Sequence, residues 1–155
     1  MKTVYALGYF ECVHPGHRAV LRETVALAQI MGTAPGCFSY IIEPGETVRP
    51  DRLSSSFTPK KRTELIKECG IEVIHMPLFS SLKNLSPEEF LGLLIGDYAA
   101  VGFVCGEDYR FGKGAAGSAD TLKNYCAKNN IAYKIIKTVC DGNTKISSKN
   151  VKNKA

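Results

Sequence analysis

No stretch of this 155-residue chain approaches the apolar length that spans a bilayer, so neither a membrane helix nor a membrane partner is expected. The start, Met1-Lys2-Thr3-Val4-Tyr5-Ala6-Leu7-Gly8, lacks the separate charged region, longer apolar core and small-residue cleavage site of a secretory leader, and reads as a first strand. The six cysteines, at 12, 37, 69, 105, 126 and 140, include no C-x-x-C pair. Thiols so scattered in a chain of this size are expected to be core or incidental residues in a reducing, cytoplasmic setting. There is no Arg-rich arm and no interleaving of aromatic and basic residues, and the net charge of +5 is spread along the chain except for Lys145, Lys149, Lys152 and Lys154. The excess suits a small anionic ligand better than nucleic acid, which is not an expected partner. Internal repeats, long linkers and low-complexity segments are absent too, and nothing specifies an oligomeric state.

What is present is the composition of one folded unit. Apolar residues make up 45% and charged residues 23%, close to soluble globular averages, and the length suits a single domain spanning 1–155. β-type apolar runs alternate with helical patterns. Strands are expected at 4–10, 37–42, 71–76, 99–105 and 131–139. A helix over 17–31 presents Val20, Leu21, Thr24, Val25, Leu27 and Ala28 on one face and is closed by Gly32. Thr58-Pro59 opens a second helix that Gly70 ends, and Ser86-Pro87-Glu88-Glu89 starts a third with a cap, a proline and first-turn acids. A fourth covers 118–129, and the tail from 146 begins like a helix. Residues 44–57 read as loop, as does the glycine-rich 108–116, a mobile segment over the site. The alternation implies α/β architecture: a Rossmann-like, mainly parallel five-stranded sheet with helices on both faces. Ligands of such sheets bind beyond the carboxyl ends of the strands, where three candidate motifs fall: 8–17, 106–114 and 146–152.

The first motif, Gly8-Tyr9-Phe10-Glu11-Cys12-Val13-His14-Pro15-Gly16-His17, joins the first strand to the first helix. Pro15 suits the first helical turn, and the amides that begin the helix lack intrahelical partners and attract anions. Gly16 lets a phosphate approach the backbone. His14 and His17, three apart, share a face and donate hydrogen bonds to phosphate oxygens whether neutral or cationic. Two other readings compete. A histidine can cap a turn while a second sits on the helix surface. Metal binding needs a third ligand, and the remaining histidine, His75, lies on another strand, so no metal set is assigned. Strand-Gly-helix context favours phosphate. Gly112-Lys113-Gly114-Ala115-Ala116-Gly117 fits the dinucleotide pattern G-x-G-x-x-G, but residues 107–111 separate it from the strand and no ribose-binding acid follows at the expected distance, so it reads as a decoy. Tyr109 and Phe111 either stack on a ligand or fill core. Ser147-Ser148, with Lys149 and Lys152, reads as a second anion-binding helix start or as a frayed tail.

H-x-G-H after a first strand is the signature of the adenylyl- and cytidylyltransferase superfamily. The longer string resembles the G-x-F-D-G-V-H-x-G-H-x of bacterial FAD synthetases, in their FMN adenylyltransferase module. The resemblance continues through Leu85-Ser86-Pro87-Glu88-Glu89-Phe90, through Gly106-Glu107-Asp108-Tyr109-Arg110-Phe111-Gly112-Lys113 (similar to G-x-D/N-F-x-F-G-K) and through Ile146-Ser147-Ser148-Lys149 (similar to I-S-S-T/S). It implies adenylyl transfer from ATP to FMN, giving FAD and pyrophosphate, with Mg²⁺ accompanying ATP. His14, His17, Ser147 and Ser148 would then be catalytic. Gly8, Tyr9, Phe10, Gly16, Gly106, Asp108, Arg110 and Lys149 would bind nucleotide, and Tyr109 and Phe111 flavin. The chain departs from the pattern at Glu11-Cys12, where Asp-Gly is usual, and at Lys149 and Lys152, where Thr or Ser and Arg are usual. Cys37-Phe38-Ser39-Tyr40-Ile41-Ile42-Glu43-Pro44 matches the family's T-F-x-P-H-P only loosely, and the chain stops where most relatives continue into a riboflavin kinase module. The same motifs fit transfer to another phosphorylated acceptor, or a catalytically weak flavin- or nucleotide-binding homologue.

Overall fold

A computed structural model describes residues 1–10, 15–42 and 58–137. The order of elements is β1 (Thr3–Leu7), α1 (Pro15–Met31), β2 (Ala34–Phe38), α2 (Pro59–Glu68), β3 (Val73–His75), α3 (Pro87–Asp97), β4 (Ala100–Gly106), α4 (Ala119–Asn129) and β5 (Ala132–Ile136). The strands form one five-stranded sheet in the order β3-β2-β1-β4-β5, and all four pairings are parallel. This is the expected α/β architecture. Among the described residues no helix is long and apolar enough to cross a membrane.

The two faces of the sheet follow from strand alternation. Val4 and Ala6 of β1 point to the face covered by α1 and α2, where they meet Val20, Leu21, Ala28 and Ile66. Tyr5 and Leu7 point to the other face, against Phe90, Leu91 and Leu94 of α3 and Leu122 and Cys126 of α4. Every residue of β1 is buried, as a central parallel strand covered on both faces requires.

Local chemistry sets the helix ends. The Lys61 amide donates to the Thr58 hydroxyl (3.1 Å), and Pro59 occupies the first turn. At α3 the Glu89 amide donates to the Ser86 hydroxyl (3.0 Å) and the Ser86 amide to the Glu89 carboxylate (2.8 Å), a reciprocal capping box. Gly32 and Gly70 follow α1 and α2 with positive φ (70° and 97°), where glycine ends a helix without strain. Ser86→Ala is expected to cost about 1 kcal/mol, the usual worth of an N-cap hydroxyl, read as a lower midpoint in urea unfolding at unchanged slope.

The strand over 37–42 is displaced. β2 begins at Ala34 and ends at Phe38, and beyond it only an isolated bridge joins Ile41 to Leu78. Pro35-Gly36 argues locally against a strand, yet both fit. The Pro35 carbonyl accepts from the Glu72 amide (2.9 Å) at the point where β3 has not begun, so the proline's missing N–H interrupts no ladder. A Cβ at Gly36 would lie 2.5 Å from Thr3 Cγ2 and 2.9 Å from the Tyr5 ring, so the side chains of β1 require a glycine there. The remaining strands differ from expectation only at their ends.

Candidate functional site

The order of strands reverses direction between β1 and β4, and these two lie side by side, with Ala6 opposite Val104. The segments that leave their carboxyl ends therefore emerge next to each other. Gly8, Tyr9 and Phe10 follow β1, and Gly16 and His17 stand in the first turn of α1. Gly106 ends β4, and Asp108, Tyr109, Arg110 and Phe111 come directly after it. The fold thus brings the first and second motifs to one edge of the sheet, at the crevice where open parallel sheets bind ligands. His14, Ser147, Ser148 and Lys149 lie outside the described residues, as do Glu11, Cys12 and the helix expected from 146.

The turn after β1 is held in an unusual conformation. Phe10 is buried with φ of 52°, a left-handed value rare for a bulky residue, and its ring folds back over Gly8, where an added Cβ would lie 3.0 Å from it. The same ring stands edge-on to the His17 imidazole, with centroids 5.3 Å apart and planes at 80°. Gly8 is thus there for the aromatic packing of the turn. A side chain the sequence reading passed over, Arg62 of α2, reaches this turn from beneath. Its Nη2 donates to the Tyr9 carbonyl (2.5 Å), the Ser39 hydroxyl (2.8 Å) and the Tyr40 carbonyl (3.2 Å), and its Nε to the Phe10 carbonyl (3.4 Å). The guanidinium also lies 4.5 Å from the centre of the Tyr9 ring. Ser39 Oγ donates to the same Tyr9 carbonyl (2.8 Å), joining the turns after β1 and β2. The available signal was position: Arg62 sits one turn before Ile66, on the stripe of α2 that faces the sheet.

Beside this turn lies a cavity of about 460 Å³, within the usual range for small-molecule sites. Its wall is aromatic. Tyr109 and Phe111 stack on each other (5.4 Å, 13°), Phe111 packs against Phe90, and Phe90 against Phe38. Tyr109 and Phe111 fill core, each at least nine-tenths buried, and both also line the cavity. Tyr40 stacks on Tyr9 (5.0 Å, 22°) and lines the cavity, so it connects cavity and turn. Lys83, Arg110 and Lys113 add positive charge to the lining. The stretch that brings Phe79, Leu82, Lys83 and Asn84 to the cavity carries no recognisable motif.

The glycine-rich segment is tied down. Phe111 and Gly117 exchange backbone hydrogen bonds (3.1 and 2.7 Å), the Lys113 amide donates to the Leu85 carbonyl (2.7 Å), and Arg110 donates through Nη2 and Nε to the Ala115 carbonyl (3.0 and 3.2 Å). The segment expected to be a loop over the site thus carries its own hydrogen bonds, and its aromatic residues belong to the core. Two of its glycines answer packing: a Cβ at Gly112 would lie 2.8 Å from Pro87 Cγ, and one at Gly117 would meet the Phe111 ring at 2.9 Å. The Ser118 hydroxyl already accepts from the Thr121 amide (3.4 Å) at the start of α4. Both facts agree with reading the G-x-G-x-x-G match as a decoy.

The third histidine takes no part in this site. His75 packs against Tyr98 (4.7 Å between centroids), Tyr5 and Phe38, and burial lowers its pKa. Among the described residues no group of three or more His, Cys, Asp or Glu side chains is placed to hold a metal ion. Cys37, Cys105 and Cys126 are buried, as expected of core thiols. Burial raises Cys37 far above its ordinary value and pushes Cys105 up to about 12 and Cys126 up to about 11, so all three stay protonated and non-nucleophilic near neutrality.

A family model described as FAD synthetase matches residues 1–150. The chain belongs to the FAD synthetase family. It is 28% identical over 153 residues to FAD synthetase 1, chloroplastic, of Arabidopsis thaliana, covering 90% of this chain and 40% of that one. It is 26% identical over 155 residues to the bifunctional riboflavin kinase/FMN adenylyltransferase of Listeria monocytogenes, covering 98% of this chain and 49% of the relative. The chain of this FAD synthetase family member therefore spans under half the length of either relative. Among solved structures, one described as a macrolide-efflux protein from Streptococcus pneumoniae superposes with a TM-score of 0.76 at 28% identity, over 98% of this chain and 58% of the other.

Proposed function

We propose that this chain transfers the adenylyl group of ATP to FMN, giving FAD and pyrophosphate. The observation that carries the reading is an aromatic cavity of small-molecule size beyond the carboxyl ends of the strands, one of whose lining residues, Tyr40, stacks on Tyr9 of the β1 turn. An FMN phosphate oxygen attacks the α-phosphorus of ATP; the bond to the bridging oxygen breaks, and pyrophosphate leaves. The buried thiols of Cys37, Cys105 and Cys126 stay protonated and offer no covalent nucleophile, in keeping with direct in-line transfer. Such a reaction needs positioning, and donors aimed at developing charge.

In this reading the first-turn amides of α1, with Gly16 at close approach, receive the ATP phosphates, and His14 and His17 steady them as charge builds. Gly8, Tyr9, Phe10 and Gly106 form the crevice that admits the nucleotide, and Asp108 and Arg110 fix its polar groups. Tyr109 and Phe111 present the apolar surface for the flavin ring, with Lys83, Arg110 and Lys113 favouring the charge of its phosphate. Ser147, Ser148 and Lys149 hold the leaving pyrophosphate. Mg²⁺ would be held with ATP chiefly by the nucleotide's own phosphates and would supply charge neutralisation there. We place the reaction in the cytoplasm, where ATP is available and the thiols stay reduced.

The test is chromatographic: protein, MgATP and FMN are expected to yield FAD and pyrophosphate in equal amounts. ATP binding without FAD, alongside pyrophosphate release on a different phosphorylated acceptor, would replace FMN in this scheme. Binding of ATP with no turnover on any acceptor would reject the enzyme reading.

A further inference from the structure

Arg62 is the largest fully buried side chain of the described residues, at 1% exposure. Its guanidinium stays charged at any accessible pH, so burying it is costly unless its N–H groups find acceptors. Packing alone does not call for it. One turn on, Ile66 fills the equivalent place on the same stripe of α2, where an apolar residue suffices. What Arg62 adds is direction. Among its acceptors in the described residues are the carbonyls of Tyr9, Phe10 and Tyr40 and the hydroxyl of Ser39, which belong to the turns leaving the carboxyl ends of β1 and β2. Phe10 sits in a left-handed conformation that persists only where surroundings over-determine it, and its ring is the edge against which His17 rests.

We propose that Arg62 is a positioning residue: from α2 it locks the backbone of Tyr9 and Phe10 and, through the Phe10 ring, sets the orientation of the His17 imidazole. The inference rests on the reading of His17 as a phosphate donor. A one-ångström misplacement of such a donor costs up to about 10²-fold in rate. Arg62→Met keeps the apolar stem and removes the donors, and its kcat for FAD formation is expected to fall by roughly 10–10²-fold, with KM for ATP changing much less. Arg62→Lys keeps the charge without the planar fork and recovers only part of the loss.

A purely structural role is separated by a double-mutant cycle. In a His17→Ala background, Arg62→Met should cost at most about threefold more, because the group it orients is gone. The full loss in both backgrounds overturns the proposal. A second measurement needs no turnover: the His17 ring resonances in the NMR spectrum of the ligand-free protein are expected to shift in Arg62→Met as the Phe10 ring moves, and unshifted resonances overturn the link. If the wild type makes no FAD while those resonances move, the activity reading fails and the positional link stands. Where Arg62→Met does not fold, Ser39→Ala carries the same test: it removes the hydroxyl that bridges Arg62 and the Tyr9 carbonyl, and the same resonances should move in the same direction by less.

Discussion

Replacing His17 by alanine is expected to lower kcat for FAD formation by about 10²–10³-fold, the loss typical of removing one donor to a developing transition-state charge. The magnitude follows from placement. His17 stands in the first turn of α1, one residue beyond Gly16 and next to amides that have no intrahelical partner, so a phosphate drawn to the helix start comes within its reach. Its imidazole is half-buried and rests edge-on against Phe10, so its direction is set before substrate arrives. A donor fixed in this way gains little from ground-state binding and most as charge builds, so the effect should fall on kcat more than on KM for ATP. His17→Asn keeps an N–H donor and should recover part of the rate. The measurement is steady-state FAD formation under saturating MgATP and FMN, with circular dichroism to check folding. Turnover near that of the wild type in His17→Ala would remove this residue from the mechanism.

The largest stability effect is expected at Gly112. Its φ of 82° with ψ of 171° belongs to a region that residues with a Cβ almost never occupy. An added Cβ would also lie 2.8 Å from Cγ of Pro87 and 2.9 Å from both its Cδ and its backbone nitrogen, none of which can swing aside. Backbone strain and overpacking together put the cost of Gly112→Ala at about 3 kcal/mol, or roughly 6–12 °C in Tm for a chain of this length. Gly112 lines the cavity and abuts the first turn of α3, whose Phe90 packs on Phe111. Apparent affinity for FMN should therefore fall while affinity for ATP changes little. Gly114→Ala is the internal control. Its φ is also positive (64°), but nothing lies within 4 Å of the added Cβ, so only about 1 kcal/mol of backbone cost remains. Calorimetric scans of both variants decide the point: equal Tm values would show that the contact with Pro87 carries no weight.

The sequence around these two positions reveals them to different degrees. His17 was legible because its meaning is local: a strand, a turn with Gly8 and Gly16, and a helix begun by Pro15 put an imidazole at a helix start. Gly112 was legible only as part of a dinucleotide-like string, and that string, read as a decoy, gives no reason for a glycine there. Its actual reason is Pro87, twenty-five residues earlier. Arg62 was not legible as a functional residue, since an arginine in a lysine- and arginine-rich helix start looks like a solvated charge. The acceptors that make it otherwise come from two other loops. The displaced second strand has the same origin, because Thr3 and Tyr5 of the neighbouring strand, not the local preference of Pro35 and Gly36, determine where β2 runs.

By itself the sequence determined the order of the elements, the capped ends at Thr58 and Ser86, the terminations at Gly32 and Gly70, and the motifs that mark the FAD synthetase family. Caps, prolines, glycines and apolar periods act over a few neighbouring residues, so they can be read along the chain. Only the tertiary structure decided that the β1 and β4 motifs face one crevice. It alone showed that Tyr109 and Phe111 line an aromatic cavity joined to the turn through Tyr40, and that a buried arginine from α2 holds that turn. Those features depend on hydrogen bonds and ring contacts between segments tens of residues apart, which parallel strand pairing brings together.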